Sequence, residues 1–198
     1  MILLQGRNYY TGVRDLKQLK FRELAEDRLS FKPGSVATDV IHPISNGDTE
    51  NYQKLIEGAR VVQYGGYYHL FYSGDNCCGV NAHYAVMAAR SKLAMGPFET
   101  MAEAAGRKSS VILERNERWK GPGHNSIVRD AANQYWMVYH AINTAIKTFA
   151  RVMLIDKIKF ENGWPSIETG TPSTTAQKAP IVNNVKQVSV IKKGKSGF

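Results

Sequence analysis

The chain has 198 residues, 43% of them hydrophobic and 22% charged, with a formal net charge of +9 at pH 7. That is enough apolar chain for a sizeable core in one domain or two, and no apolar run approaches the roughly 20 residues that span a bilayer. Four lysines (Lys186, Lys192, Lys193, Lys195) fall in the last thirteen residues, and without them the net charge drops to +5, so the basic balance reads as a solvated tail and not as a nucleic-acid surface.

The N-terminus, MILLQGRNYY, lacks a basic n-region and a long apolar h-region, so it does not read as a signal peptide. It opens in the middle of a strand-like run. Residues 1–49 form a weak first unit, with ILLQGR and YYTGVR as strands, LKQLKFRE as a closing strand and SFKPGSVATDVIHP as a loop-rich crossing. Residues 22–29 are a candidate short helix.

A doubled pattern follows over residues 55–98 and 121–164. In each copy a short apolar strand meets a turn (Gly65-Gly66; Ala132-Asn133), an aromatic-rich strand follows, and a third strand carries arginine. GGYY and NQYW sit where hairpin turns belong, because Gly and Asn tolerate positive φ. Tyr67, Tyr68, Leu70 and Phe71 align with Tyr135, Trp136, Val138 and Tyr139 at a constant offset of 68. The residue leading each copy differs: Glu57 in the first, His124 in the second. Between the copies, ETMAEAAG (99–106) has room for two helical turns with Gly106 as the C-cap.

Short strands rich in aromatic and β-branched residues, bounded by Gly, Asn and Pro, predict an all-β fold. A repeat of about four strands is blade-like, with longer loops than the usual ~40–50-residue propeller blade. The expectation is a partial β-propeller of antiparallel four-stranded blades over residues 1–182, followed by a disordered or non-native tail over 183–198. Closed propellers use about 4–8 blades, so the chain reads as incomplete. Its open blade edges predict self-association; neither nucleic acid nor a membrane is an expected partner.

Four features carry chemistry. Glu57, in LIEGARV, is flanked by Leu55, Ile56 and Val61; desolvation there would raise its pKa, as a general acid requires. The alternative is a surface glutamate paired with Arg60. His124, in GPGHNSIV, suits a buried, hydrogen-bonded imidazole that ligates a metal, positions a carboxylate, or is simply structural. Arg151 is a cation among apolar strand neighbours, able to hold sugar hydroxyls or a carboxylate on an inner face and merely solvated on an outer one, and Arg90 reads as its counterpart in the earlier copy. Cys77 and Cys78 are adjacent. Their Cα atoms, about 3.8 Å apart, fall short of the roughly 4.4–6.8 Å of ordinary disulfides, leaving two free thiols or a vicinal ring. Most of the aromatic residues alternate into the core.

Taken together, IEGARVV, GGYYHLFYSGDNCCG, HYAVMAARS and GPFE, followed by GPGHNSIV, QYWMVYHA and GWPS, resemble the C-terminal part of glycoside hydrolase family 43. The likeness is strong over 50–182, loose over 1–49 and absent beyond 183. It implies a five-bladed propeller, of which about three blades are present, and an inverting arabinanase, α-L-arabinofuranosidase or β-xylosidase acting on plant cell-wall polysaccharide. By this resemblance Glu57 is the general acid and His124 the axial histidine beside a calcium or other ion, held directly or through water. Arg151 reaches the substrate, and the Cys77-Cys78 loop borders the sugar pocket. The family's base and orienting aspartates would lie before residue 1, since Asp15, Glu23, Glu26, Asp27, Asp39, Asp48 and Glu50 lack the expected context. A non-catalytic carbohydrate-binding or scaffold fragment of such a propeller is the alternative, and an extracellular or periplasmic place is expected for the full-length protein.

Overall fold

The computed structural model describes residues 2–5, 18–44 and 50–182. The described chain is almost entirely β, arranged as three antiparallel sheets that follow one another in sequence. The first comprises β1 (Ile2–Gln5), β2 (Leu19–Arg22) and β3 (Thr38–Ile41). The second comprises β4 (Ile56–Tyr64), β5 (Tyr67–Asn76), β6 (His83–Ser91), β7 (Glu99–Thr100) and β8 (Val111–Leu113). The third comprises β9 (Trp119–Arg129), β10 (Tyr135–Asn143), β11 (Arg151–Glu161) and β12 (Trp164–Ser166). Each sheet is a meander stacked on the next, the arrangement of propeller blades. The all-β partial propeller expected from the sequence is the fold observed.

The outer edge of the second sheet is one strand in two pieces. β7 and β8 both pair with β6, at Ala89–Arg90 and Val86–Met87 respectively. Between them sits α1 (Met101–Ala105), opened by a capping box of Thr100 and Glu103 and closed by Gly106 in the left-handed conformation. The helix is shorter than the two turns predicted, but its cap is as read. No helix among the described residues is long and apolar enough to cross a membrane.

Burial explains the sequence pattern. The middle sheet is covered on both faces, so β5 and β6 are buried almost continuously along their centres. Leu70, Tyr72, Ala85, Met87 and Ala89 face Leu19, Phe21, Val40 and Ile41 of the first sheet. The alternate residues Phe71, Val86 and Ala88 face Ile127, Met137, Tyr139, Ala141 and Ile158 of the third. Period-two alternation thus feeds two cores at once. The offset of 68 is real in space: Tyr67 opens β5 and Tyr135 opens β10. Gly65 and Gly66, both at positive φ, make the two-residue turn before β5. The equivalent loop in the third sheet is longer, with Asn133 at φ 64° and the Asp130 carboxylate accepting from the backbone N–H of Ala132 and of Gln134.

Two local expectations are corrected. Residues 22–29 are not helical: Leu24 bridges Phe31 across a tight loop. The Asp27 carboxylate accepts there from the Leu29 and Ser30 amides, an Asx turn that competes with helix. The crossing SFKPGSVATDVIHP contains a strand, β3, whose Val40 and Ile41 are buried in the first core. YYTGVR and residues 183–198 lie outside the described residues.

One packing constraint gives a prediction. A Cβ on Gly74 of β5 would overlap the Tyr52 carbonyl oxygen and lie 2.8 Å from that of Leu55. Both are backbone atoms of the segment leading into β4, so they have little freedom to yield. Gly74→Ala is expected to destabilise the chain by about 3 kcal/mol, as overpacking does, read as a lower urea midpoint; an unchanged midpoint would show that this segment can move.

Candidate active site

Glu57 lies at the junction of the second and third sheets. On β4 it pairs with Ser73 of β5, and a register shift between Glu57 and Arg60 bends the strand start. Gly58 follows at φ 61°, and a Cβ there would press on His124 at 3.3 Å, so glycine is what lets β4 approach β9. His124 is itself at φ 51°, a conformation rare for a residue with a side chain. Its backbone N–H donates to Ser73 Oγ at 2.9 Å. These contacts set His124 Nδ1 3.8 Å from Glu57 Oε1.

The environment of Glu57 differs from that read in the sequence. Ile56 points into the core between the first and second sheets, whereas the Glu57 carboxylate turns to the other face. There its Oε1 accepts a hydrogen bond from Tyr84 Oη at 2.7 Å. Tyr84 is 1% exposed. Burial pushes its hydroxyl above the usual phenol range, and the hydrogen bond to Glu57 adds to the effect. It therefore remains a donor throughout the physiological range.

His124 is not the buried imidazole expected: its side chain is 54% exposed. It lines a cleft of about 400 Å³ with Ser126, Val138, Tyr139, His140, Arg151, Val152 and Met153. Arg151 is thus brought to the same end of the third sheet as His124. His140 is held neutral: burial pushes its pKa down to about 4, with Arg151 contributing in the same direction. Neither of its ring nitrogens has a hydrogen-bond partner among the described residues. Val152 and Met153 are the exposed apolar residues of this cleft, and no further sheet packs beyond the third among the described residues.

Arg90 is not the counterpart of Arg151. Arg90 pairs with His69 near the start of β5, whereas Arg151 pairs with Ile142 near the end of β10, so the two arginines occupy opposite ends of their sheets. Arg90 bonds Glu99 at 2.7 Å and stacks on Tyr67 and Trp164, a structural role. The third strand of each copy carries an arginine, but the pairing register sets the two at different heights in their sheets.

Cys77 and Cys78 form a disulfide, which resolves the two alternatives in favour of the vicinal ring. Their loop is fastened to the start of β9: the Cys77 carbonyl faces Gly121, and Lys120 Nζ donates to the Val80 carbonyl at 2.6 Å. The ring therefore lies at the same end of the molecule as Glu57 and His124.

The calcium expected beside His124, directly or through water, finds no cluster of carboxylate ligands among the described residues. Calcium takes about six to eight oxygen ligands. Among the described residues no group of three or more His, Cys, Asp or Glu side chains is placed to hold a metal, and His124 offers a nitrogen. The sequence singles out Glu57, His124 and Arg151 but not Tyr84, Ser73 and His140, which the fold brings beside them. Tyr84 comes from β6, across β5 from Glu57, and only its place beside Gly123 in the packed sheets reveals it. A Cβ on Gly123 would overlap the Tyr84 ring.

The chain resembles known proteins in both sequence and structure. Residues 2–165 match the family described as "Glycosyl hydrolases family 43". The extracellular endo-α-(1→5)-L-arabinanase 1 of Bacillus subtilis (strain 168) is 31% identical over 147 residues, covering 71% of this chain and 41% of the relative. A probable arabinan endo-1,5-α-L-arabinosidase A of Aspergillus clavatus is 30% identical over 178 residues, covering 82% and 52%. Among solved structures, the Cellvibrio cellulosa α-L-arabinanase complexed with arabinohexaose superposes with a TM-score of 0.65 at 23% identity, covering 78% of this chain and 52% of that one. A xylan β-1,4-xylosidase from Bacillus halodurans gives 0.67 at 19%, covering 91% and 34%. The chain spans about two-fifths to one-half of the length of these curated relatives.

Proposed function

The chain belongs to glycosyl hydrolases family 43, and from that premise we propose that it carries the proton-donating part of an inverting glycosidase site for α-L-arabinofuranosyl linkages of plant polysaccharide. One observation carries the reading. Glu57, in the E-G-A context, has its carboxylate gripped by a buried tyrosine at a blade junction and stands 3.8 Å from His124. Arabinan is the favoured substrate because the curated relatives quoted above are named for acting on it; xylosyl linkages come second.

In this mechanism the proton moves from the Glu57 carboxyl to the glycosidic oxygen as the bond from the anomeric carbon breaks, the electron pair leaving with that oxygen. A second carboxylate, about 6.5–9.5 Å away, would activate water on the opposite face. Arg151 would hold sugar hydroxyls, and the Cys77–Cys78 ring would border the pocket. The reading assigns the base to an aspartate outside this chain. In support, four upstream carboxylates are engaged elsewhere: Asp39 with Lys20 at 2.9 Å, Glu23 with Lys32 at 2.7 Å, Glu50 with His83 and Arg115 at 3.6 Å, and Asp27 in its own turn; Glu26 is exposed on the loop between Leu24 and Phe31. Asp15 and Asp48 lie outside the described residues. These engagements also favour the second reading, a carbohydrate-binding fragment without turnover.

External nucleophile separates the two. With an alkyl α-L-arabinofuranoside as substrate, the chain alone is expected to release little sugar in water. Added sodium azide is expected to restore cleavage, giving arabinosyl azide of inverted anomeric configuration. Brisk hydrolysis without azide would place the base within this chain. Sugar binding with no cleavage in either condition would support the binding fragment.

A further inference from the structure

We propose that Tyr84 is the positioning residue of the proton donor: its hydroxyl fixes Glu57 Oε1 and thereby the direction in which the carboxyl presents its proton. This rests on the reading of Glu57 as general acid. A protonated carboxyl has one O–H donor and otherwise accepts. A phenol hydroxyl already pointing at Oε1 from 2.7 Å makes that oxygen an acceptor, so the contact sets how the carboxyl is turned.

The tyrosine is built to hold this direction. Its ring originates on β6 and crosses toward the third sheet. There it lies against Gly123, where any Cβ would overlap it, and stacks parallel to His140 at 5.8 Å and 5°. The space left by Gly123 and the flat neutral ring of its strand partner His140 together confine the tyrosine ring. The groups facing the pair come from several strands: His124 from β9 beside the same Oε1, Ser73 from β5, and Arg151 from β11, whose charge is felt by the Tyr84 hydroxyl. Tyr84 thus ties the second sheet's acid to the third sheet's surface, and the angle of proton delivery depends on how those two blades pack. Orientation of this kind is worth rate: a misplacement of about 1 Å can cost about 100-fold.

The test compares native chain with Tyr84→Phe in azide, on two arabinofuranosides, one with an alkyl leaving group and one with a dinitrophenyl leaving group that departs without protonation. The expected result is a kcat about 10–100-fold lower on the alkyl substrate, with KM within about twofold and near-native turnover of the activated one. Equal loss on both substrates would mark Tyr84 as merely structural and overturn the proposal, as would no loss on either. A readout independent of turnover is the ¹³C resonance of the Glu57 carboxyl, identified by its disappearance in Glu57→Gln. It should move in Tyr84→Phe and stay in place in Tyr72→Phe, whose hydroxyl instead faces Gln53. A resonance that stays put in Tyr84→Phe overturns the positioning role. If it moves while Glu57→Gln retains full activity on the alkyl substrate, the general-acid assignment fails, and the failure is thereby told apart from failure of the contact.

Discussion

Glu57→Gln is expected to reduce azide-supported cleavage of an alkyl α-L-arabinofuranoside by about 100- to 10,000-fold, the range over which a positioned general acid contributes. The amide keeps the shape of the carboxyl and an acceptor oxygen for the Tyr84 hydroxyl at its present 2.7 Å, so the fold should survive. What it lacks is a proton to give. An alkoxide is a poor leaving group and needs that proton, whereas a dinitrophenolate does not. The loss on a dinitrophenyl arabinofuranoside should therefore be under about tenfold, because proton donation no longer limits its departure. The contrast between the two substrates is the decisive measurement. A variant equally impaired on both would point to a folding or binding defect, and one unimpaired on both would remove Glu57 from the chemistry.

Acid is expected to destabilise the chain well before its carboxylates titrate. His69 is buried in β5, its Nε2 3.2 Å from the Tyr64 carbonyl, and burial pushes its pKa down to about 4. In the unfolded chain a histidine titrates near 6.5. Between about pH 6.5 and pH 4 the unfolded state binds a proton that the native state refuses, so stability falls as pH drops through that window. The loss from His69 approaches about 3 kcal/mol at its lower end, a large share of the roughly 5–15 kcal/mol that holds a domain folded. His140, with its pKa also pushed down to about 4, acts in the same direction but is partly open to the cleft, so its effect is smaller. Urea midpoints at pH 7.5 and pH 5 should diverge for the native chain and converge in His69→Gln. An equal divergence in that variant would remove His69 as the cause.

Much of this architecture was legible in the sequence because its signals are local. The alternation in YYHLFYS and YWMVYHA marks strands whichever sheet they join. Gly65-Gly66 demands a tight turn by backbone conformation alone, and Thr100, Glu103 and Gly106 specify both ends of α1 within seven residues. Glu57 and His124 could be singled out because each sits in a short motif beside glycines that permit close approach. Where register mattered, the reading failed: Arg90 and Arg151 occupy similar places in the text of the two copies and opposite ends of the folded sheets. Side-chain direction misled it too. Ile56 and Glu57 are neighbours in sequence yet face different cores, since successive strand residues point to opposite faces, and so the apolar flank of Glu57 is not its environment.

The sequence by itself determined the longer strands, the turns and the family, and it singled out Glu57, since all of these depend on residue types within a few positions of one another. Only the tertiary structure decided what the acid touches. Tyr84 lies 27 residues from Glu57 and His124 a further 40 along the chain. They meet because β4, β6 and β9 converge at one junction of two packed sheets, with Gly58 and Gly123 leaving the space for side chains from separate blades to come within hydrogen-bonding or near-contact range.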